Sequence, residues 1–168
     1  MMLEGLRVGT GYDVHAFAAD RALILGGVTI PYDRGLDGHS DADVLAHAVT
    51  DALLGAARIE GAFDIGQMFP DTDSAFEGAD SIELLKAATK RVQEAEFCIL
   101  DADCILVAQE PKLSPYRSEM RRNLAEALGI DIARVGLKAT TTESLGFAGR
   151  KEGIAAHATI LLYSKSLG

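Results

Sequence analysis

Near its amino terminus the chain reads Gly9-Thr10-Gly11-Tyr12-Asp13-Val14-His15, and this stretch limits what can be built around it. Leu6 and Val8 open a short strand, which then passes two glycines that let other backbone come close. Asp13 and His15 follow at the strand end. In extended chain, residues i and i+2 point to the same face, so a carboxylate and an imidazole project together. That is half of a metal site. Alone, the triplet also reads as a turn cap beside a solvated histidine, because two ligands do not hold a metal tightly. A third ligand has to come from elsewhere in the chain.

A helix starting near Ser40 can supply it. Ser40 with Asp43 three residues on fits a helix N-terminal cap, and Leu45, Ala48, Val49, Ala52, Leu53 and Ala56 recur at the three-and-four spacing of a buried stripe. The same periodicity puts Asp43, His47 and Asp51 on the opposite face, one turn apart. His47 is the candidate ligand, although a polar face turned to water explains the pattern as well. His39 and Ser40, at the helix start, form a donor-rich corner where the helix dipole favours an anion.

The rest of the chain reads as scaffold with a few polar loops. Ala22 to Leu25 and Val28 to Ile30 flank Gly26-Gly27, the signature of a hairpin with a primed turn, and Tyr32 to His39 is a loop. Gly61 to Asp73, with Asp64-Ile65-Gly66 and Phe69-Pro70-Asp71-Thr72-Asp73, is a long carboxylate-rich loop, a class that tends to be functional. Asp80 and Glu83 cap a second helix, with Ile82, Leu85, Ala88 and Val92 inside, and nothing but scaffold is expected there. Cys98 to Ala108 is an apolar strand interrupted by Asp101 and Asp103, feeding the loop Ala108-Gln109-Glu110-Pro111-Lys112-Leu113. Ser114 caps a third helix with Pro115 in its first turn, and Gly129 ends it. Val135, Leu137 and Ala139 alternate along a strand that runs into Thr140-Thr141-Thr142-Glu143, where hydroxyls and a carboxylate suit phosphate oxygens and a hard cation. A threonine run ahead of a turn is the plainer account. A glycine-rich loop with Phe147, Arg150 and Lys151 precedes the closing strand, Ile154 to Tyr163. Strands and helices do not alternate strictly, which predicts an α+β fold: a mostly antiparallel sheet covered on one face by helices, in one domain spanning 1–168.

Composition removes several classes of function. The formal net charge of −9 argues against a nucleic-acid or anionic-membrane surface, so any phosphate must be met by local positive charge from metal ions, a few Lys or Arg, or helix N-termini. No apolar run reaches the roughly 18 residues of a membrane span. Met1-Met2-Leu3-Glu4-Gly5 has neither the basic region nor the apolar core of a signal peptide, so a cytoplasmic protein is expected. Cys98 and Cys104 lack metal-site or disulfide-framework spacing and read as buried small hydrophobes.

Asp13, His15 and His47 together offer one carboxylate and two imidazoles, which suits Zn²⁺ with one position open to substrate. These motifs, with Phe17, with His39-Ser40-Asp41 and Asp43, with Phe69 to Asp73, with Lys138-Ala139-Thr140-Thr141-Thr142-Glu143 and with Leu145-Gly146-Phe147 and Gly149-Arg150, occur in order along nearly the whole chain. Together they resemble the 2-C-methyl-D-erythritol 2,4-cyclodiphosphate synthase family of the non-mevalonate isoprenoid pathway. The resemblance implies a homotrimer with sheets around the threefold axis and active sites between subunits. It further implies conversion of 4-diphosphocytidyl-2-C-methyl-D-erythritol 2-phosphate into the cyclic diphosphate plus CMP.

Carried over by position, the resemblance makes Asp13, His15 and His47 the zinc ligands and Glu143 the ligand of a second cation, Mg²⁺ or Mn²⁺. It gives His39 and Thr141 to the transition state. Ser40, Asp64, Ile65, Gly66, Phe69, Pro70, Asp71, Thr72 and Asp73 become substrate contacts. Ala108, Gln109, Glu110, Pro111, Lys112, Leu113, Ser114, Thr140 and Thr142 become the cytidine pocket, with Phe147 and Arg150 as further contacts. Two departures stand out: the spacing from Gly55 to Asp64 is longer than usual in the family, and Phe63 precedes Asp64 where glycine is common.

Two other readings stay open on residues alone. A metal-dependent phosphohydrolase of nucleoside diphosphates also uses His and Asp on helices, though its common helical form has an adjacent His-Asp pair and this chain has none. A purely structural metal site would close with four protein ligands, often cysteine, and neither Cys98 nor Cys104 is suitably spaced.

Overall fold

The elements of the computed structural model run β1 (Leu6–Ala18), β2 (Leu23–Leu25), β3 (Val28–Ile30), β4 (Gly35–Leu36), α1 (Val44–Ala57), α2 (Ile65–Met68), α3 (Ser81–Glu94), β5 (Phe97–Val107), α4 (Arg117–Leu128), β6 (Val135–Thr140), α5 (Gly146–Gly149) and β7 (Gly153–Ser164). Residues 4–70 and 72–167 are described. The signal-peptide reading of Met1-Met2-Leu3 and the substrate role of Asp71 lie outside them.

Five strands form one sheet in the order β4-β1-β7-β5-β6. β1 is antiparallel to β4 and β7, β7 is antiparallel to β5, and β5 is parallel to β6. The sheet is therefore mixed. A parallel neighbour needs a crossover connection, and α4 provides it between β5 and β6.

Alternation along β1 decides which face is covered. Gly9 and Gly11 are buried, whereas Val8, Tyr12 and Val14 are 56%, 52% and 39% exposed on the other face. A Cβ on Gly9 would lie 2.1 Å from the Ala52 carbonyl oxygen, and one on Gly11 1.9 Å from that of Ala48. Only glycine lets α1 lie this close, and the small alanines on the helix complete the fit. Asp13 and His15 are the next residues on the same face. They are not at a strand end as expected, because β7 pairs with β1 as far as Ala16.

α1 packs on β1 and β7 on one side and on α3 on the other, so it is buried almost all round. Leu45, Leu53 and Leu54 are fully buried, each contributing about 1.5–3 kcal/mol of hydrophobic stabilisation. This enclosure corrects two expectations. Asp43 does not share a solvated face with His47 and Asp51; it is fully buried. Ser40 does not cap α1; the cap is Asp43, whose Oδ1 accepts from the Leu45 and Ala46 amides at 3.1 and 3.0 Å. Asp43 also accepts from Gly26 N (2.9 Å) and Gly27 N (2.7 Å), tying the β2–β3 hairpin to the helix. Both glycines have positive φ, 55° and 70°, as the primed turn requires.

Asp80 caps α3 and Gly129 ends α4 in the left-handed region, both as expected. Ser114 does not cap α4, since a 3-10 turn over Ser114–Tyr116 precedes it and no side chain bonds its first amides. Three of the four loops of the sequence reading hold β4, α2 and α5, elements of two to four residues that hydrophobic periodicity cannot signal. Cys104 is buried and Cys98 half-buried, both free. Among the described residues no helix is long and apolar enough to cross a membrane.

Candidate metal centre and substrate cleft

Because α1 rests on Gly9 and Gly11, the residue preceding Ala48 arrives beside the first side chains of that strand face. That residue is His47. Asp13 Oδ2 lies 2.9 Å from His15 Nε2 and 3.2 Å from His47 Nδ1, and the two ring nitrogens are 3.2 Å apart. An ion with bonds of about 2.0–2.1 Å in tetrahedral geometry spaces its ligand atoms about 3.3 Å apart, so this triangle is nearly one face of such a site. The other nitrogen of each ring is engaged. His15 Nδ1 bonds the Asp37 carbonyl, and His47 Nε2 lies 2.9 Å from Ser81 Oγ and 3.1 Å from Ser40 Oγ. The nitrogens facing Asp13 are thereby left as the available lone pairs. The residues present fit a tetrahedral cation with an open fourth position.

The electrostatics agree with the packing. Burial works against charge on Asp13, but hydrogen bonding and charge interactions with His15 and His47 together outweigh it and hold the carboxyl well below its usual range. Burial also disfavours a charged His15, but the hydrogen bond and charge of Asp13, together with the Asp37 carbonyl and charge, outweigh it and raise the imidazole. One turn beyond His47, burial pushes Asp51 up even though it accepts from Ile65 N at 2.8 Å.

The triad opens into a cleft of about 240 Å³ lined by His39, Ser40, Ile65, Gly66, Phe69, Phe76 and Leu84 as well. His39 Nε2 is buried without a hydrogen-bond partner among the described residues. Asp64 caps α2 through Gln67 N and so shapes the wall that carries Ile65 and Gly66. Pro70 follows this wall, and Thr72 and Asp73 are exposed beyond it, Asp73 accepting from Ala75 N. Ahead of Asp64 the chain forms a turn closed by an Ile59–Ala62 bridge, with Phe63 42% exposed.

Most of the remaining candidates gather where β5 and β6 end, at the far edge of the sheet, while Phe147 and Arg150 precede β7 beside the end of β1. Asp13, Ala156, Leu106 and Ala139 stand in one cross-strand row, so the triad and β6 are three strand spacings, about 14 Å, apart. There Leu113 and Ser114 line a small cleft of about 70 Å³ with Leu106, Arg117, Met120, Leu137, Lys138 and Ala139. Ala108 N bonds Thr140 O at 3.0 Å, joining the loop carrying Pro111 and Lys112 to the threonine run. Gln109 Oε1 accepts from Ser144 N, and Glu110 pairs with Lys151 at 2.6 Å. Thr141 Oγ1 donates to Glu143 Oε1 at 3.1 Å, and Thr142 Oγ1 donates to Leu145 O. Phe147 is half-buried on α5, and Arg150 is paired with Glu152. Glu143 and Ser144 are consecutive non-glycine residues with φ of 52° and 64°, a strained turn of the kind that clusters at functional sites. Glu143 is not part of the triad; among the described residues only Asp13, His15 and His47 converge closely enough to hold an ion.

The sequence profile of the YgbB family matches residues 6–163. This chain is a member of the YgbB family. The 2-C-methyl-D-erythritol 2,4-cyclodiphosphate synthase of Cupriavidus necator is 57% identical over 168 residues, covering 100% of this chain and 98% of that protein. The synthase of the same name from Laribacter hongkongensis is 56% identical over 160 residues, or 95% of this chain and 97% of that one. IspF of Plasmodium falciparum, solved as a CDP complex, matches with a TM-score of 0.82 at 34% identity over 96% of this chain and 98% of its own. The bifunctional IspDF of Campylobacter jejuni matches with a TM-score of 0.89 at 48% identity, over 95% of this chain and 42% of that longer one.

Within this YgbB-family fold the sequence reading gave no role to four residues that shape the site. Arg21 donates to the carbonyls of Gly38 and Ser40, both at 2.6 Å, and so clamps the segment that carries His39. Asp37 orients His15, and Ser81 with Asp41 backs His47. Their partners lie 17 to 40 residues away, except for the immediate neighbours of Asp41, so no local spacing could have revealed them.

Proposed function

We propose that this protein converts 4-diphosphocytidyl-2-C-methyl-D-erythritol 2-phosphate into 2-C-methyl-D-erythritol 2,4-cyclodiphosphate, releasing CMP. The observation that carries the reading is the Asp13–His15–His47 triangle opening into the His39 cleft, in a chain 57% identical to a synthase of that name. Asp13, His15 and His47 would hold Zn²⁺, and Glu143 a second divalent cation. Bound there, such ions supply charge neutralisation and Lewis-acid polarisation of the diphosphate.

No protein nucleophile is required. The substrate's 2-phosphate has a second pKa near 6, so an oxygen of it is already deprotonated at neutral pH. That oxygen attacks the β-phosphorus, the bond from the β-phosphorus to the CMP oxygen breaks, and CMP leaves with the electron pair. Alignment does the rest, since an intramolecular attack held in register gains on the order of 7–11 kcal/mol over the untethered reaction. His39 Nε2 and the Thr141 hydroxyl are the groups we assign to the developing charge. Ser40, Asp64, Ile65, Gly66, Phe69, Pro70, Asp71, Thr72 and Asp73 border the erythritol end. Ala108 to Ser114, Thr140, Thr142, Phe147 and Arg150 border the cytidine end.

A complete site joins two subunits in this reading. The roughly 14 Å between the triad and β6 within one chain supports it, as does the exposed apolar row Val8, Tyr12 and Val14, which a homotrimer would cover around its axis.

Phosphorus NMR of the zinc- and magnesium-supplemented protein with the cytidylyl substrate tests the function. Paired doublets of a cyclic diphosphate together with CMP are expected. Hydrolysis of a cytidine diphosphate ester that lacks the 2-phosphate would instead indicate a phosphohydrolase.

A further inference from the structure

Helix α3 enters the site through its first residue. Ser81 is fully buried, and its hydroxyl lies 2.9 Å from His47 Nε2 on one side and bonds Asp41 Oδ1 on the other. Asp41 Oδ2 accepts from Ser81 N at 3.1 Å, and Asp41 Oδ1 also accepts from Asp43 N at 3.2 Å. Asp41 is itself tied down, its amide donating to the Ala79 carbonyl. A three-part chain, Asp41 to Ser81 to His47, therefore runs from the loop before α1 across to α3 and back to the metal centre.

The proton inventory gives this chain a direction. A serine hydroxyl has one proton and two lone pairs, and an ionised carboxylate can only accept. Asp41 takes the Ser81 proton, which leaves Ser81 Oγ able only to accept from His47. Ser40 Oγ, 3.1 Å from the same Nε2, accepts from Ala42 N and can place its own proton toward Ser81 Oγ, 3.4 Å away, which leaves its second lone pair to Nε2. Ser81 therefore draws the hydrogen of a neutral His47 to Nε2 and the lone pair to Nδ1, the atom that faces Asp13 Oδ2 and His15 Nε2, each at 3.2 Å.

We propose that Ser81 is a positioning residue which, held by Asp41, fixes His47 in the Nε2–H tautomer and in the ring orientation that offers Nδ1 to a metal ion. This rests on the reading that Asp13, His15 and His47 hold that ion. The usual arrangement backs a ligand histidine directly with a carboxylate, carbonyl or water. Here a buried hydroxyl relays the carboxylate, and the relay crosses between two helices. The capped start of α3 thus contributes to the centre as well as to the scaffold.

The test uses the full-length protein, metal-free and zinc-titrated, with Ser81→Ala and Asp41→Asn. Zinc affinity is read by competition with a chromophoric chelator. The tautomer is read from long-range ¹H–¹⁵N correlations of the histidine rings in the metal-free protein, His47 being assigned by its absence in His47→Ala. The parent should show Nε2–H, and each variant should lose roughly 10–100-fold in zinc affinity, the range seen when an outer partner of a ligand is removed. The Nε2–H signature should give way to mixed or Nδ1–H character. In Asp41→Asn the amide can donate to Ser81, freeing the hydroxyl proton to point at His47 and reversing the chain, so this variant decides the matter if Ser81→Ala does not fold. A parent that binds no zinc overturns the metal reading and the proposal with it. A parent that binds zinc, with variants that match it within twofold and keep the Nε2–H signature, overturns the proposal alone and leaves Ser81 a tie between helices.

Discussion

A Cβ on Gly11 would come within 1.9 Å of the Ala48 carbonyl oxygen, one residue along from the metal-facing His47. The obstacle is backbone, so no rotamer change relieves it, and a side chain there must lift α1 off β1. Gly11→Ala is expected to destabilise the protein by about 1–3 kcal/mol. It should also draw His47 Nδ1 away from Asp13 and His15. Thermal melting and zinc content of one preparation check both effects; a variant with the parent Tm and full metal would show that the contact is dispensable.

In the metal-free protein the Asp13–His15 pair should make stability bell-shaped in pH. Asp13 is held below its usual range, so its contribution is complete above about pH 3.9 and is lost as pH falls through the depressed folded value. His15 is raised, so its contribution is complete below about pH 6.5 and is lost as pH rises through the elevated folded value. The pair therefore favours folding most between about pH 4 and 6.5. Urea unfolding across pH measures this. Zinc-loaded protein should lack the alkaline decline, since the cation takes the proton's place.

The two thiols should differ sharply in reactivity. Burial pushes the Cys104 thiol up to about 12, whereas Cys98 is half-buried at the start of the same strand. With a chromogenic disulfide reagent at pH 8, Cys104 should react only after denaturant is added. Equal rapid labelling of both in the native protein would contradict the burial of β5.

Sites shared between subunits, as proposed, predict complementation. His47→Ala disables the triad, and Ser114→Trp would fill the 70 Å³ cleft at the other edge of the sheet. Each variant alone should be inactive. After joint dissociation and reassembly into trimers, about a quarter of the interfaces would pair two intact halves if subunits mix at random. Turnover near that fraction of the parent is expected, and none at all in verified mixed trimers would place the whole site in one chain.

The sequence was most legible where geometry repeats. Period-two alternation put Asp13 and His15 on one face, and helical periodicity brought His47 to the exposed side of a buried stripe; the structure joins all three. The primed hairpin and the Asp80 cap were readable for the same reason, because each is a local conformation with its own residue requirement. Asp43 was misread because its burial depends on a hairpin 17 residues earlier, which no helical wheel contains. Ser81 was read as scaffold because its partner His47 is 34 residues away. The β5–β6 parallel pair was hidden likewise, since strand direction is settled by the crossover and not by composition.

β1 writes two messages on alternate residues: ligands and glycines on one face, the apolar row Val8, Tyr12 and Val14 on the other. A single codon gained or lost within it would exchange the faces, sending Asp13 and His15 outward and driving Tyr12 into the Ala48 backbone. Metal binding and the outer surface would fail together, so this strand tolerates no single-residue change in length. A lengthening past the end of α1, where a Cβ on Gly61 would meet nothing within 4 Å, costs neither message.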